Sequence, residues 1–447
     1  MQTMQEKSFD DLVERFLGMR LPRQMANAVS LSELPPYAQG FTMRMLALMK
    51  RSGYSVTEFN PALIRWLSAS IPSMLPDAWG GRIPPITLPN RHSKLDVYVS
   101  NRNMAVGNEP HIFVDMGCGF PPVTAADTAR KFPDWQIYGV DRSFADFVLY
   151  DKDGHYACFD QKGVFQYFQA LMNLSGRALY ADPEATGKRF NKFFADLFPL
   201  LQDTDGTASE TVEKDGNKLI HNHIRDFETD NLTFVKSDIA ELKLPPAKVI
   251  RCMNVLLYFQ PEIRKTMLLQ AGELLDDDGI LIAGTNGLGI QARYAVYQKG
   301  ADGLFPSEFA FSLDNIGHIA FMPWLTICEN DPEAILLADL AGTIRADRPF
   351  WPEFSSRIDE LLQEHEICER RSDGFLHFQR DNMPPDEYLK INALLWRQIE
   401  DEGYLDRAAA ILERAGYETW INSAGDIAVR PLANSLPIAD ECDELKC

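Results

Sequence analysis

The run Ile112-Phe113-Val114-Asp115-Met116-Gly117-Cys118-Gly119 constrains this chain more than any other stretch of it. Its apolar residues suit a central parallel strand, and the glycines beyond let the backbone turn tightly and approach a ligand closely. Thr124 to Phe132 then has helix-forming composition, with Pro121 and Pro122 placed where a missing N–H does no harm to a helix start. Strand, glycine turn and helix in this order read as a nucleotide-cofactor site.

Two cofactor classes use that order. A dinucleotide turn G-x-G-x-x-G has a third glycine where helix packs closely on strand, and here that position is Pro122. Asp115, two residues before the first glycine, suits a ligand with a cationic amino group. A second strand pattern, Gln136 to Val140, ends in Asp141, an acid able to accept from two ribose hydroxyls in either class. Leu232 to Ile239 is a third pattern, closing on Asp238 and Ile239. Lys248 to Phe259 is a fourth, with Pro261 at a following helix start, and Leu274 to Gly284 supplies a turn and a fifth.

On Asp115, Gly117 and Gly119 and the ordered pieces after them, the chain resembles the class I S-adenosylmethionine (SAM)-dependent methyltransferases. Pro121 stands where their third glycine is usual. The resemblance implies a Rossmann-like α/β sheet with SAM as cofactor, bound by Asp115, Gly117, Cys118, Gly119, Asp141, Asp238, Ile239 and Asn254. It gives Asp115 the amino group, Asp141 the ribose, Asp238 the adenine amino group and Ile239 the adenine ring. Asn254 is assigned to the methionine moiety or the acceptor. Cys252 to Phe259 is also similar to a segment of the chemotaxis-receptor glutamate methyltransferases, with Met253 where they carry arginine. Their first motif is absent from Gly117 to Thr124.

Methyl transfer from a sulfonium asks the protein chiefly for alignment and for an acceptor in the right protonation state. Tyr258, Glu308 and His318 are the candidates for deprotonating or orienting an acceptor, because they follow strand ends or lie in the aromatic segment Arg293 to Trp324. The acceptor is expected to be a small molecule or a protein, through an oxygen or a carboxylate, and a carboxylate needs no base. Two rival readings are a non-catalytic SAM-binding interaction module and an NAD-dependent oxidoreductase, the latter disfavoured by Pro122.

With 447 residues the chain exceeds a methyltransferase core. The expected division is an N-terminal helical cap over 1–105, a core over 106–290 with a large helical insertion at about 145–230, and a substrate-facing segment with a sheet-completing hairpin over 291–447. In the cap, Ser8 and Asp11 precede Leu12 and Phe16 on one face. Phe41, Met45, Leu48 and Met49 form another stripe, and Asn60-Pro61 opens a helix with Leu63, Trp66, Leu67 and Ile71. In the insertion, Phe165, Phe168, Leu171 and Met172 lie at helical spacing, as do Phe190, Phe193, Phe194, Leu197 and Phe198, while Gln202 to Asn217 reads as a polar surface loop. The insertion either forms a lid or packs on the cap. Two C-terminal stretches, Ile358 to Gln379 and Ala408 to Arg430, each carry a helix and two short strands, and either can supply the hairpin.

A net charge of -20, from 44 basic and 64 acidic residues, argues against a nucleic-acid partner. Seven cysteines without a C-x-x-C pair suggest neither a disulfide framework nor a zinc ribbon. His221 and His223 form an H-x-H pair without a third ligand, so no metal is assigned. Met1 to Asp11 holds no apolar core of a signal peptide and no stretch suits a membrane span, so a cytoplasmic location without membrane contact is expected.

Overall fold

A computed structural model of the chain describes residues 36–55, 58, 87–102, 110–170, 179, 182–201, 210–287, 290–318, 320–372, 374, 376–380, 385–431 and 436–437. In chain order its elements begin with α1 (Pro36–Arg51), α2 (Ser93–Ser100), β1 (Ile112–Met116), α3 (Val123–Lys131) and β2 (Gln136–Val140). The insertion follows as β3 (Phe147–Tyr150), β4 (Tyr156–Phe159), β5 (Phe165–Gln169), α4 (Pro183–Leu201), β6 (Thr211–Lys214) and β7 (Asn217–His221). The core resumes with β8 (Leu232–Val235), β9 (Ala247–Met253), α5 (Pro261–Glu273), β10 (Leu275–Gly287), β11 (Ile290–Gly300) and β12 (Gly303–Phe311). Last come α6 (Pro332–Arg345), α7 (Trp351–Glu364), β13 (Cys368–Arg370), β14 (Leu376–Phe378), α8 (Pro385–Asp401), α9 (Tyr404–Arg414), β15 (Thr419–Ile421) and β16 (Ile427–Val429).

Five strands run parallel in the order β8-β2-β1-β9-β10, so the order reverses between β1 and β9. Ligands of open α/β sheets bind outside the strand ends at such a reversal. β11 and β12 continue the sheet as an antiparallel meander, and β16 and β15 pair antiparallel beyond them. The fold is therefore a Rossmann-like α/β sheet with an antiparallel flank. Of the two C-terminal hairpins, β15 and β16 join this sheet, while β13 and β14 form a ribbon of their own.

Both faces of the sheet are covered, which is why β1 and β9 are apolar without alternation. On one face Phe113, Ile137, Val249, Ile282 and Val296 pack with Leu95, Tyr98 and Val99 of α2 and Ala125 and Ala129 of α3. On the other, Val114, Ile250, Cys252, Leu281 and Ala295 pack with Met45 of α1, Leu268 of α5, Leu337 of α6 and Ile358 of α7. The two helices described within 1–105 thus belong to opposite faces. In α1, Phe41, Met45 and Met49 are buried along one stripe. The helix starts expected at Ser8 and at Asn60-Pro61 lie outside the described residues.

The insertion is not the helical unit expected. It is a five-stranded antiparallel sheet, β5-β4-β3-β7-β6, with one helix, α4, laid across it through Phe190, Phe194, Leu197 and Leu201. Phe165 and Phe168 fall in strand β5, and Leu171 and Met172 lie outside the described residues. A short apolar run fits both periods, and aromatic content favours the strand. The polar stretch read as a loop contains β6 and the turn of the β6–β7 hairpin, made by Asp215 and Gly216 at φ 54° and 77°, the left-handed pair such a turn requires.

Candidate active site at the strand reversal

The glycine turn leaves β1 with Gly117 at φ 69° and Gly119 at φ 72°. A Cβ on Gly117 would stand 2.2 Å from Cγ2 of Val255, so the turn and the β9 tip touch over the reversal. Gly117 N–H donates to Val140 O at 2.7 Å, tying the turn to the end of β2. Asp141, next along, accepts from Gly119 N–H on Oδ2 at 3.0 Å and from Ser143 N–H on Oδ1 at 2.7 Å. Burial pushes this carboxyl pKa up, and the two N–H bonds oppose the shift. The Cys118 side chain is buried and faces Gly139, so burial pushes its thiol well above the ordinary value.

Asp115 has both carboxylate oxygens engaged within the chain. Its Oδ1 accepts from Arg251 Nε at 2.9 Å and its Oδ2 from Thr124 Oγ1 at 3.0 Å, and the residue is 2% exposed. The cation expected from a bound molecule is the chain's own. Arg251, in register with Asp115 on β9, also donates to Asp96 Oδ1 at 2.8 Å and to Thr128 Oγ1 at 3.0 Å. One guanidinium thereby joins β1, β9, α2 and α3. Burial pushes Asp96 up to about 6, against the pull of Arg251.

At the β9 tip Asn254 sits at φ 61°, donates N–H to Gly284 O at 2.8 Å, and accepts from Asn286 N–H on Oδ1 at 2.9 Å. Asn286 in turn is clamped by Arg91, which donates Nε to its Oδ1 at 2.8 Å and Nη2 to its carbonyl at 2.7 Å. Burial pulls Arg91 down to about 10, with Tyr258 opposing the shift, and Tyr258 itself is half-buried after the β9 tip. Asp238 follows β8, exposed, with Arg142 Nη1 3.8 Å away, and Ile239 beside it is half-buried.

Glu308 and His318 do not belong to this crevice. Glu308 lies in β12 at 4% exposure, with Tyr98 OH on Oε2 at 2.9 Å and Asn422 Nδ2 on Oε1 at 2.6 Å. Enclosed between sheet and α2, it offers no oxygen to an acceptor. His318 is 1% exposed, with Nδ1 at 3.0 Å from Glu58 and Nε2 at 3.1 Å from the Ser355 carbonyl. It fastens residue 58 to α7.

The insertion reaches the crevice through Phe120, the residue after Gly119. Tyr156 OH donates to the Phe120 carbonyl at 2.8 Å, and the Phe120 ring meets Tyr156, His223 and Phe227 with centroids 5.6, 5.4 and 5.9 Å away. His223 Nδ1 lies 2.9 Å from Asp226 Oδ2 and its Nε2 3.4 Å from Tyr150 OH. Burial lowers the His223 pKa, with Asp226 opposing, so at neutral pH the ring is an uncharged base oriented by a carboxylate. Among the described residues no group of three or more His, Cys, Asp or Glu is placed to hold a metal ion, and no helix is long and apolar enough to cross a membrane.

The sequence reading missed Arg91, Asn286, Arg251 and His223 as parts of the site. One signal was available for Arg251: β1 carries Asp115 and the apolar run Val249–Met253 of β9 carries Arg251, opposite charges that adjacent central strands can bury only as a pair.

No family model and no curated protein matches the chain. Among solved structures, a putative SAM-dependent methyltransferase from Methanococcus maripaludis is 12% identical, over 77% of this chain and 86% of its own, with a TM-score of 0.22. The magnesium protoporphyrin IX methyltransferase from Synechocystis PCC 6803 with bound SAH is 15% identical, over 44% of this chain and 55% of its own, with a TM-score of 0.20. A plantazolicin methyltransferase in complex with SAH is 10% identical, over 57% and 62%, with a TM-score of 0.25. The chain thus spans less than two thirds of the length of the last two. Superpositions this loose carry no weight for function.

Proposed function

We propose that this chain is a SAM-dependent methyltransferase with an oxygen acceptor, working in the cytoplasm on a small molecule or a protein. The observation that carries the reading is the glycine turn at the strand reversal with Asp141 bonded to it and two prolines after it. A dinucleotide needs backbone N–H donors for its pyrophosphate at the following helix start, and Pro121 and Pro122 have none. A nucleoside thioether makes no such demand.

When bound, SAM supplies a methyl group on a positively charged sulfur. Asp141 would accept from the ribose hydroxyls on the lone pairs its two backbone bonds leave, and Asp238 with Ile239 would meet the adenine. The rigid Asn254–Asn286–Arg91 chain brings a buried guanidinium to the β9 and β10 tips, suited to the carboxylate of the amino-acid tail. Tyr258, after the same strand tip, would orient the acceptor. His223, held by Asp226, would take the proton from a hydroxyl at Nε2, a task for which Glu308 and His318 are unsuited.

Calorimetric titration with S-adenosylhomocysteine, alongside NADH and an Asp141→Ala control, tests the reading. Saturable binding of the first, weakened by the substitution, is the expected result. Binding of NADH in its place would move the chain to the oxidoreductases, and SAH binding without transfer to any acceptor would leave a binding module.

A further inference from the structure

Asn286, next to last in β10, has every polar atom bonded within the wall of the crevice. Its N–H donates to Asn254 Oδ1 at 2.9 Å and its carbonyl accepts from Arg91 Nη2 at 2.7 Å. On the side chain, Oδ1 accepts from Arg91 Nε at 2.8 Å, while Nδ2 donates to the Arg91 carbonyl at 2.9 Å and lies 3.1 Å from His92 Nδ1. The first two of these side-chain contacts fix which way round the amide stands. A guanidinium N–H only donates and a backbone carbonyl only accepts, so the atom facing Arg91 Nε is oxygen and the atom facing the Arg91 carbonyl is nitrogen. Turned over, the amide would set donor against donor and acceptor against acceptor at once.

The remaining contact then reads the state of His92. One hydrogen of Nδ2 goes to the Arg91 carbonyl and the other to the imidazole, so His92 Nδ1 accepts and carries no proton. A charged ring would present N–H to N–H there, and so would the tautomer with its proton on Nδ1. One state is left: a neutral ring with its proton on Nε2. The surroundings agree, since His92 and Asn286 are both buried, burial lowers the imidazole pKa well below its ordinary value, and the charges of Arg251 on β9 and of Arg91 add to the shift. His92 is itself held by the helix it opens, its carbonyl accepting from Asp96 N–H at 3.0 Å in the first turn of α2.

We propose that His92 is the positioning residue for Arg91: accepting at Nδ1, it fixes the Asn286 amide that aims the guanidinium at the β9 and β10 tips. Arg91 and Asn286 hold each other through three hydrogen bonds, and a mutual clasp does not fix its own place in the crevice. Asn254 anchors the Asn286 backbone from the β9 tip, and His92 anchors its side chain from the start of α2. What Arg91 grips rests on the methyltransferase reading above, in which it is the carboxylate of the amino-acid tail; the tautomer of His92 does not rest on it. The effect is confined to the tail. With no acceptor at position 92, Asn286 keeps a buried N–H without a partner and the guanidinium loses its fixed direction, while the nucleoside end of the site is untouched.

Nuclear magnetic resonance of the full chain labelled with 15N-histidine tests the tautomer without any ligand. At about pH 6.5, where an ordinary imidazole is half protonated, His92 should show one bare ring nitrogen, Nδ1, and one protonated, Nε2, its signals identified by their loss in His92→Gln. A charged ring, or a proton on Nδ1, overturns the proposal whether or not a cofactor binds. Calorimetry with SAH and with 5′-methylthioadenosine, the same nucleoside without the amino-acid tail, tests the positioning. His92→Leu, close in volume but without an acceptor, should weaken SAH by about tenfold or more and methylthioadenosine by less than about threefold. His92→Gln, whose side-chain carbonyl can accept from Asn286 in place of Nδ1, should bind SAH within about threefold of wild type. Unchanged SAH affinity in His92→Leu, equal losses for the two ligands, or a loss in His92→Gln as large as in His92→Leu overturns the proposal. A wild type that binds neither ligand refutes the cofactor reading instead, and the ring-nitrogen spectrum then decides the state of His92 by itself.

Discussion

Arg251 donates to Asp115 across the two central strands at 2.9 Å, and neither side chain reaches solvent. Removing the guanidinium would leave Asp115 and Asp96 buried without their cation. Arg251→Met should therefore cost about 3–5 kcal/mol of stability by urea unfolding, and Arg251→Lys should fall between, because an ammonium lacks the planar fork that reaches three partners. A loss under 1 kcal/mol would show that the network is solvated.

Gly117→Ala places a methyl group 2.2 Å from Val255 Cγ2 and holds a non-glycine residue at φ 69°. A cost of about 1–3 kcal/mol is expected, with SAH affinity lowered in parallel. Adding Val255→Ala should restore part of the loss, since it relieves the clash and leaves the backbone strain. Equal values for single and double variants would place the whole effect in the backbone.

Arg91→Met should weaken SAH by about 10- to 100-fold and leave 5′-methylthioadenosine, which has no amino-acid tail, within about threefold. Calorimetry with both ligands separates the tail from the nucleoside. Equal weakening of the two would assign Arg91 to holding the strand tips.

With phenols as acceptors, His223→Ala should lower transfer from labelled SAM by about 10²- to 10⁴-fold, and with carboxylates it should change little. Burial holds the His223 pKa below its ordinary value, with Lys218 assisting and Asp226 opposing. The acid limb of the wild-type rate profile should accordingly lie below pH 6.5 and vanish in the variant. A profile that keeps its limb in His223→Ala would assign the base elsewhere.

Asp426 is buried beside Tyr294, and burial pushes its carboxyl up to about 6, with Lys94 opposing. A carboxyl raised in the folded state keeps a proton that the unfolded chain has already released, so stability falls as pH rises from about 4 to 6. Asp426→Asn should remove up to about 3 kcal/mol of that fall, read as a flatter curve of unfolding free energy against pH. A variant curve as steep as the wild type would put the slope on other carboxyls.

How much of this was legible in the sequence depends on the reach of each signal. The five parallel strands, the glycine turn and Asp141 were legible because a buried strand writes an unbroken apolar run and a tight turn writes glycine. The insertion was misread at Phe165 and Phe168, where five residues fit either period, and at Asp215-Gly216, a hairpin signal hidden in a polar stretch. Glu308 and His318 were chosen for their place along the chain. What removed them was the arrival of Tyr98, Asn422, Glu58 and Ser355 from distant segments, which no local pattern carries. Asp115 kept its position at the strand tip and lost its assigned partner for the same reason.

The contact at Phe120 makes the insertion part of the crevice wall rather than an appendage. Excising it would strip this ring of Tyr156, His223 and Phe227 and leave it bare beside Gly119. A shortened chain would therefore need a polar residue in place of Phe120 to keep an apolar ring out of water.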